Sequence, residues 1–237
     1  MPTRLARLAA TVSFAASALV SHAGVPGQGT WESTLQSRDL NGDRVADAFY
    51  DTALDITWMA DADALPFEAR ANGWAGARSW AASLELHGVT GWRLPALHDR
   101  GAAGCDDPDA HGGGDCGYNV RPETSELAHL FYVTLGNLSI VDPNGLPAEG
   151  GLGNGGPFSG LRGEAYWLDA PYDDGVGLSA WYFSTAVGVQ GSSNQGNPLF
   201  AWAVHEGDIA SPAPEPATWG LMLGGLTIVA LGRRRRS

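Results

Sequence analysis

Apolar positions along the chain form long blocks at both ends and, between them, short aromatic-rich runs and two stretches with helical spacing. Residues 48–51 and 55–59 read as a short hairpin that turns at Thr52-Ala53-Leu54. Within 76–86, Ala77, Trp80, Ala81 and Leu84 recur at a helical period, and Gly88 follows as a stop. A second helix is predicted over 126–135. Thr124 or Ser125 can cap it, Leu127, Leu130, Phe131 and Leu135 share a face, and Gly136-Asn137 ends it. Residues 165–168, 180–183 and 199–204 read as strands. Two helices followed by a series of strands predict a single α+β domain rather than a parallel βαβ sheet. Glycine is concentrated in 101–117 and 144–163, which predicts long loops, and the nine tryptophans predict an aromatic framework.

The terminal blocks have a different logic. Arg4 and Arg7 precede the apolar stretch 8–20, and Ser21-His22-Ala23 places small residues where a signal peptidase reads, so 1–23 is expected to be a secretory signal peptide. At the other end Pro214-Glu215-Pro216 precedes an apolar run and then Arg233-Arg234-Arg235-Arg236. As a helix, 217–232 would be roughly 24 Å long, slightly short of a hydrocarbon core of ~30 Å. Bilayer thinning and snorkelling arginines accommodate such a span, and the basic cluster would hold that end in the cytoplasm.

This order resembles the PEP-CTERM sorting tail of exosortase-containing Gram-negative bacteria. The resemblance implies that Pro-Glu-Pro marks a processing site and that the apolar run is a temporary membrane anchor. Signal peptidase and exosortase are then the partners during export. The expected course is an inner-membrane-anchored precursor that ends in the cell envelope or outside the cell.

With both ends set aside, eight arginines face 25 acids and lysine is absent, a charge near −17. Such a field repels nucleic acid and acidic lipid surfaces and attracts cations. An acidic surface that serves solubility alone accounts for it equally well.

Five blocks then occur in order. They are Tyr50-Asp51-Thr52 with Ile56-Thr57-Trp58, Gly91-Trp92-Arg93-Leu94-Pro95, the run Ser125 to Tyr132, Tyr166-Trp167, and Ala201 to Val204 before Gly207-Asp208. Together they resemble the Lcl C-terminal-type domain of unknown function, which is similar to the C-type-lectin-like fold. The resemblance implies a lead-in over 24–38, a domain over 39–208 and a sorting tail over 209–237. It also implies two helices flanking a small antiparallel sheet, with long loops carrying a non-catalytic binding surface, for which extracellular polysaccharide is the partner expected. The residues 92–95 themselves read as a structural corner, in which the arginine bridges carbonyls or a carboxylate. Trp58, Trp80, Trp167 and Trp202 read as core.

Three constellations carry candidate chemistry. Asp39, Asn41, Asp43, the carbonyl of Val45, and Asp47 follow the oxygen spacing of a calcium loop, although Arg44 stands where glycine belongs and Tyr50 where a bidentate glutamate belongs. The pattern is open between calcium, the one cofactor suggested, and a solvated acidic turn. Cys105 and Cys116 bracket an acidic loop and in an exported chain are expected to form a disulfide. Trp181 with Tyr172, Asp173 and Asp174 would suit stacking on sugar, or else completes a strand and its turn. No nucleophile elbow, zinc-protease helix, phosphate loop or dinucleotide fingerprint is present, and no catalytic residue is assigned. The function expected is therefore binding at the envelope or in the extracellular matrix, with a ligand-free matrix component or an envelope enzyme as alternatives.

Overall fold

The computed structural model describes residues 29–98, 103–106 and 111–209. The expected signal peptide 1–23, residues 24–28 of the expected lead-in, and residues 210–237 of the sorting tail with its apolar segment 217–232 lie outside the described residues. No helix among the described residues is long and apolar enough to cross a membrane.

The architecture is α+β, with helices packed on two antiparallel sheets. The first sheet has the order β1 (Leu35–Arg38), β2 (Ala48–Asp51), β3 (Ile56–Met59), β9 (Val204–Glu206) and β4 (Trp92–Arg93). It joins both ends of the domain, because β9 pairs antiparallel with β3 and β4 alike. The second has the order β5 (Gly117–Tyr118), β8 (Val189–Asn194), β7 (Ser179–Ser184) and β6 (Ala165–Tyr172). The expected domain start at 39 needs correction. β1 lies within the supposed lead-in and pairs with β2 over four residues, and Arg38 forks onto the Asp208 carboxylate at 2.7 and 2.9 Å.

The predicted hairpin forms with Asp51 opposite Ile56, and the Asp51 carboxylate caps the turn by accepting from the Ala53 amide at 2.9 Å. The first predicted helix is α3 (Gly73–Ser83), which follows the five-residue α2 (Phe67–Ala71) and begins three residues earlier than its apolar pattern. Gly73 opens it with φ of 61°, and a Cβ there would lie 2.0 Å from the Gln195 carbonyl oxygen. Ser125 caps the second helix by accepting from the Ala128 amide at 3.0 Å. That helix is α only over α4 (Glu126–His129) and continues as a π-helix over Leu130–Thr134, where the Leu135 amide reaches the Leu130 carbonyl at 2.8 Å.

The run 199–204 is not a strand as expected. Only Val204 enters β9, Phe200 makes an isolated parallel bridge to Tyr166, and Ala201 to Ala203 cross the core in irregular backbone. Their burial explains the apolar run: Trp202 is fully buried, packs on Trp58 at 4.9 Å and Phe158 at 4.7 Å, and donates its indole N–H to the Met59 carbonyl at 2.8 Å. Trp58 and Trp167 are likewise fully buried, whereas Trp80 is half-buried.

Candidate functional site

The residues nominated for sugar stacking do not form a surface. Trp181 is completely buried, with its indole packed edge-on against Tyr172 at 4.9 Å. Its neighbours build the turn between β6 and β7. The Asp174 carboxylate accepts from the amides of Val176 at 2.9 Å and Gly177 at 2.6 Å, and Asp173 accepts from Gly175 at 3.1 Å. Hydrogen bonds to the Asp174 carboxylate, from the Ser179 side chain first, hold its pKa below the ordinary aspartate value. The exposed stacking platform expected at Trp181 is therefore corrected to a core tryptophan beside a capped turn.

The calcium pattern falls on a turn between β1 and β2 whose oxygens already have partners. Asp39 accepts from the Gly42 and Arg44 amides, both at 2.7 Å, and the Arg44 contact is the main reason its pKa lies low. Asp43 accepts from the Val45 amide at 2.7 Å, Asn41 from the Asp43 amide at 2.8 Å, and Asp47 from the Leu40 amide at 2.8 Å. His87 Nε2 lies 3.1 Å from the other Asp47 oxygen. Arg44 adopts φ of 74°, the left-handed geometry for which glycine is preferred at that place. The closing position is not supplied. Tyr50 sits in β2 and donates its hydroxyl to Asp55 at 2.7 Å, while Asp51 is fully buried.

Cys105 and Cys116 form the expected disulfide, with Cα atoms 5.5 Å apart. Buried Asp115 beside it accepts from the Asp106 amide at 3.1 Å, so this acid closes the loop from within. Because the sulfurs are bonded to each other, the clustering of Cys105, Asp115 and Cys116 offers no thiolates to a metal.

The corner at Arg93 is the most heavily bonded polar element of the interior. Its guanidinium forks onto Glu126 with two contacts of 2.8 Å, reaches Glu206 at 2.8 Å and donates to the Leu94 carbonyl at 3.1 Å. Glu126 in turn accepts from the Ala96 amide at 2.7 Å, which ties β4 to the start of α4. These hydrogen bonds to Glu126 push the Arg93 pKa above its already high ordinary value. The element is structural.

Sequence reading missed a groove beside the π-helix. The short helix α1 (Trp31–Thr34) is pinned there, since the Thr30 amide donates to the Thr134 carbonyl at 2.9 Å and a Cβ on Gly29 would lie 2.3 Å from that same oxygen. The opposite wall is the glycine-rich loop. Asn137 accepts from the amides of Gly153 at 3.0 Å and Asn154 at 2.8 Å, and Asn154 donates back to the Leu135 carbonyl at 2.8 Å. Between the walls lies a cavity of about 700 Å³ whose lining includes Trp31, Glu32, Leu138 and Glu149. A second depression of about 350 Å³ on the β1 side shares Trp31 and Glu32. The signal for this site is the glycine and asparagine punctuation at 136–137 and 150–154, which reads as loop without revealing what the loop faces.

Residues 212–236 match the PEP-CTERM protein-sorting motif. The chain thus carries at its C-terminal end the signal of an exosortase-targeted exported protein, made as a membrane-anchored precursor that is processed to the envelope. No curated protein and no solved structure matches the chain.

Proposed function

We propose that this is a non-catalytic binding module of the cell envelope or extracellular matrix, delivered by exosortase processing and presenting its loop face to a ligand such as a glycan. The observation that carries the reading is the junction between cargo and signal. Ile209, the last described residue, is buried, and the sorting motif begins at residue 212, so a packed domain runs directly into the export address. The lectin-like resemblance adds the expectation of a loop-borne site. Expressing the full chain with and without an exosortase tests delivery: processed protein is expected in the envelope or medium with the enzyme, and unprocessed precursor without it. Identical processing in both hosts, or after replacement of Pro214-Glu215-Pro216, overturns it.

Calcium is the ion suited to the turn at Asp39, Asn41, Asp43, Val45 and Asp47, because all of these would offer oxygen. Because backbone amides already occupy its carboxylates, calcium would have to displace them, and saturable calorimetric binding that Asp43→Ala abolishes is the result that would establish the ion. Absence of heat together with no thermal stabilisation would leave a turn held by its own amides.

A second reading, a matrix component without a small ligand, is favoured by the charge near −17. Concentration-dependent self-association without any retained polysaccharide would support it over the binding module.

A further inference from the structure

We infer that the groove between Trp31 and Glu149 is a binding site for a neutral polysaccharide strand, with one sugar face lying against the Trp31 indole. This assignment rests on the reading of the domain as a ligand-binding module, and it names both the site and the chemistry of the ligand. The cavity of about 700 Å³ lies within the range of ligand sites, and the adjoining depression of about 350 Å³ continues past the same tryptophan. A surface that extends to both sides of one aromatic suits a chain of rings better than a single small molecule.

The walls are preorganised, so little ordering cost falls on binding. Both Asn137 and Asn154 are engaged in holding the loop. Gly150 is fixed against the neighbouring backbone, since a Cβ on it would approach the Ser139 carbonyl oxygen to 2.2 Å, and on Gly151 the Ala186 carbonyl oxygen to 2.5 Å.

The groove's chemistry selects the ligand. Glu32 and Glu149 are exposed, and neither carboxylate has a hydrogen bond or ion pair among the described residues, so both are open to accept from hydroxyl groups. Among the described residues no arginine lines either depression, which leaves sulfate, phosphate and uronate groups without a counter-charge there. Cations would be drawn by the carboxylates, but a cation site wants converging acids with their water removed. Here the acids are exposed, and the rest of the larger cavity's described lining is indole, glycine backbone, the loop-holding Asn137 and Asn154, and the 65 % exposed Leu138. Apolar ring faces edged by hydroxyl donors match that composition.

The test is a polysaccharide array probed with the purified full chain. It carries neutral glucans, mannans and galactans, sulfated and uronate polymers, and poly-lysine. Retention on a neutral polymer is expected, weakened about tenfold or more by Trp31→Ala, which removes the stacking face. Leu138→Arg, which fills the groove from an exposed position, is expected to weaken it comparably, with thermal midpoint kept within about 2 °C. If a neutral polymer binds and both variants bind it as tightly as the parent, the groove assignment fails while the module reading stands. If sulfated polymer or poly-lysine is preferred, the ligand chemistry is overturned. If the parent retains no polymer of any kind, both readings fall.

Discussion

The Arg93 corner and the Trp31 groove are both rich in acids, yet their carboxylates are in opposite states. Glu126 is 8 % exposed and its two oxygens take three contacts of 2.7 to 2.8 Å from Arg93 and the Ala96 amide. Glu32 and Glu149 stand in water with no partner among the described residues. The turn at Asp39 falls between these extremes, exposed but with its carboxylates occupied by backbone amides. Acid content alone therefore does not locate function in this chain. What separates a structural carboxylate from an available one is whether the fold has already filled its lone pairs.

Removing a partner from the corner sharpens that contrast most. Glu126→Ala leaves a half-buried guanidinium without its fork and is expected to cost about 3–5 kcal/mol in chemical denaturation. A loss under about 1 kcal/mol would show that water replaces the carboxylate and that the corner resembles the groove. Replacing both cysteines by serine is expected to cost about 3 kcal/mol, because the bridge closes a loop of 11 residues in the unfolded chain.

Alkali provides a third lever. Burial raises the pKa of Tyr166 from 10.0 to about 12 in the folded state. A raised folded value means that this stabilisation is complete below pH 10 and lost as pH rises through about 12, roughly 2–3 kcal/mol in all. Denaturation midpoints across that window measure it, and Tyr166→Phe should flatten the profile. Smallest of all, Glu32→Gln and Glu149→Gln are expected to shift stability by no more than about 0.5 kcal/mol in either direction. A larger loss would show that these side chains are structural after all and would break the comparison from the other side.

His129 adds a mild acid-side dependence. Burial lowers its pKa from 6.5, against the opposing pull of Asp51. Its contribution is thus full above pH 6.5 and is lost as pH falls through the depressed folded value. The unfolding midpoint measured downward from neutrality should decline over that interval, and less so in His129→Gln.

Local chemistry was readable where one residue type has one physical role. The Ser125 cap, the halt at Gly136-Asn137, the hairpin at 48–59 and the cysteine bridge all follow from such residues. The strand β8 was invisible because its sequence is polar. It is held by burial of Gln190, whose amide donates to the Asp115 carbonyl at 2.6 Å and whose oxygen accepts from Ser125 at 2.6 Å. The opposite error occurred at 199–204, where aromatic and apolar residues gave a strand signal although their side chains fill the core from irregular backbone. Trp181 misled for a related reason: an indole next to aspartates reads alike in a binding face and in a core strand that leads from a tight turn. The groove was illegible because its walls meet across about 120 residues of chain, from Trp31 to Gly153, and only tertiary packing brings them together.

The buried position of Ile209 fixes the length of a leash. Its side chain packs with Leu40 and Trp92, and five residues, 210–214, separate it from Glu215 of the sorting signal. At ~3.3–3.6 Å per residue such a segment reaches at most on the order of 20 Å, less than the width of a small domain. With the precursor anchored in the membrane and a cut at the expected Pro214-Glu215-Pro216, the processing enzyme would work in the gap between a folded body and the bilayer. Lengthening the segment with glycine and serine would relax that confinement without touching the domain or its address.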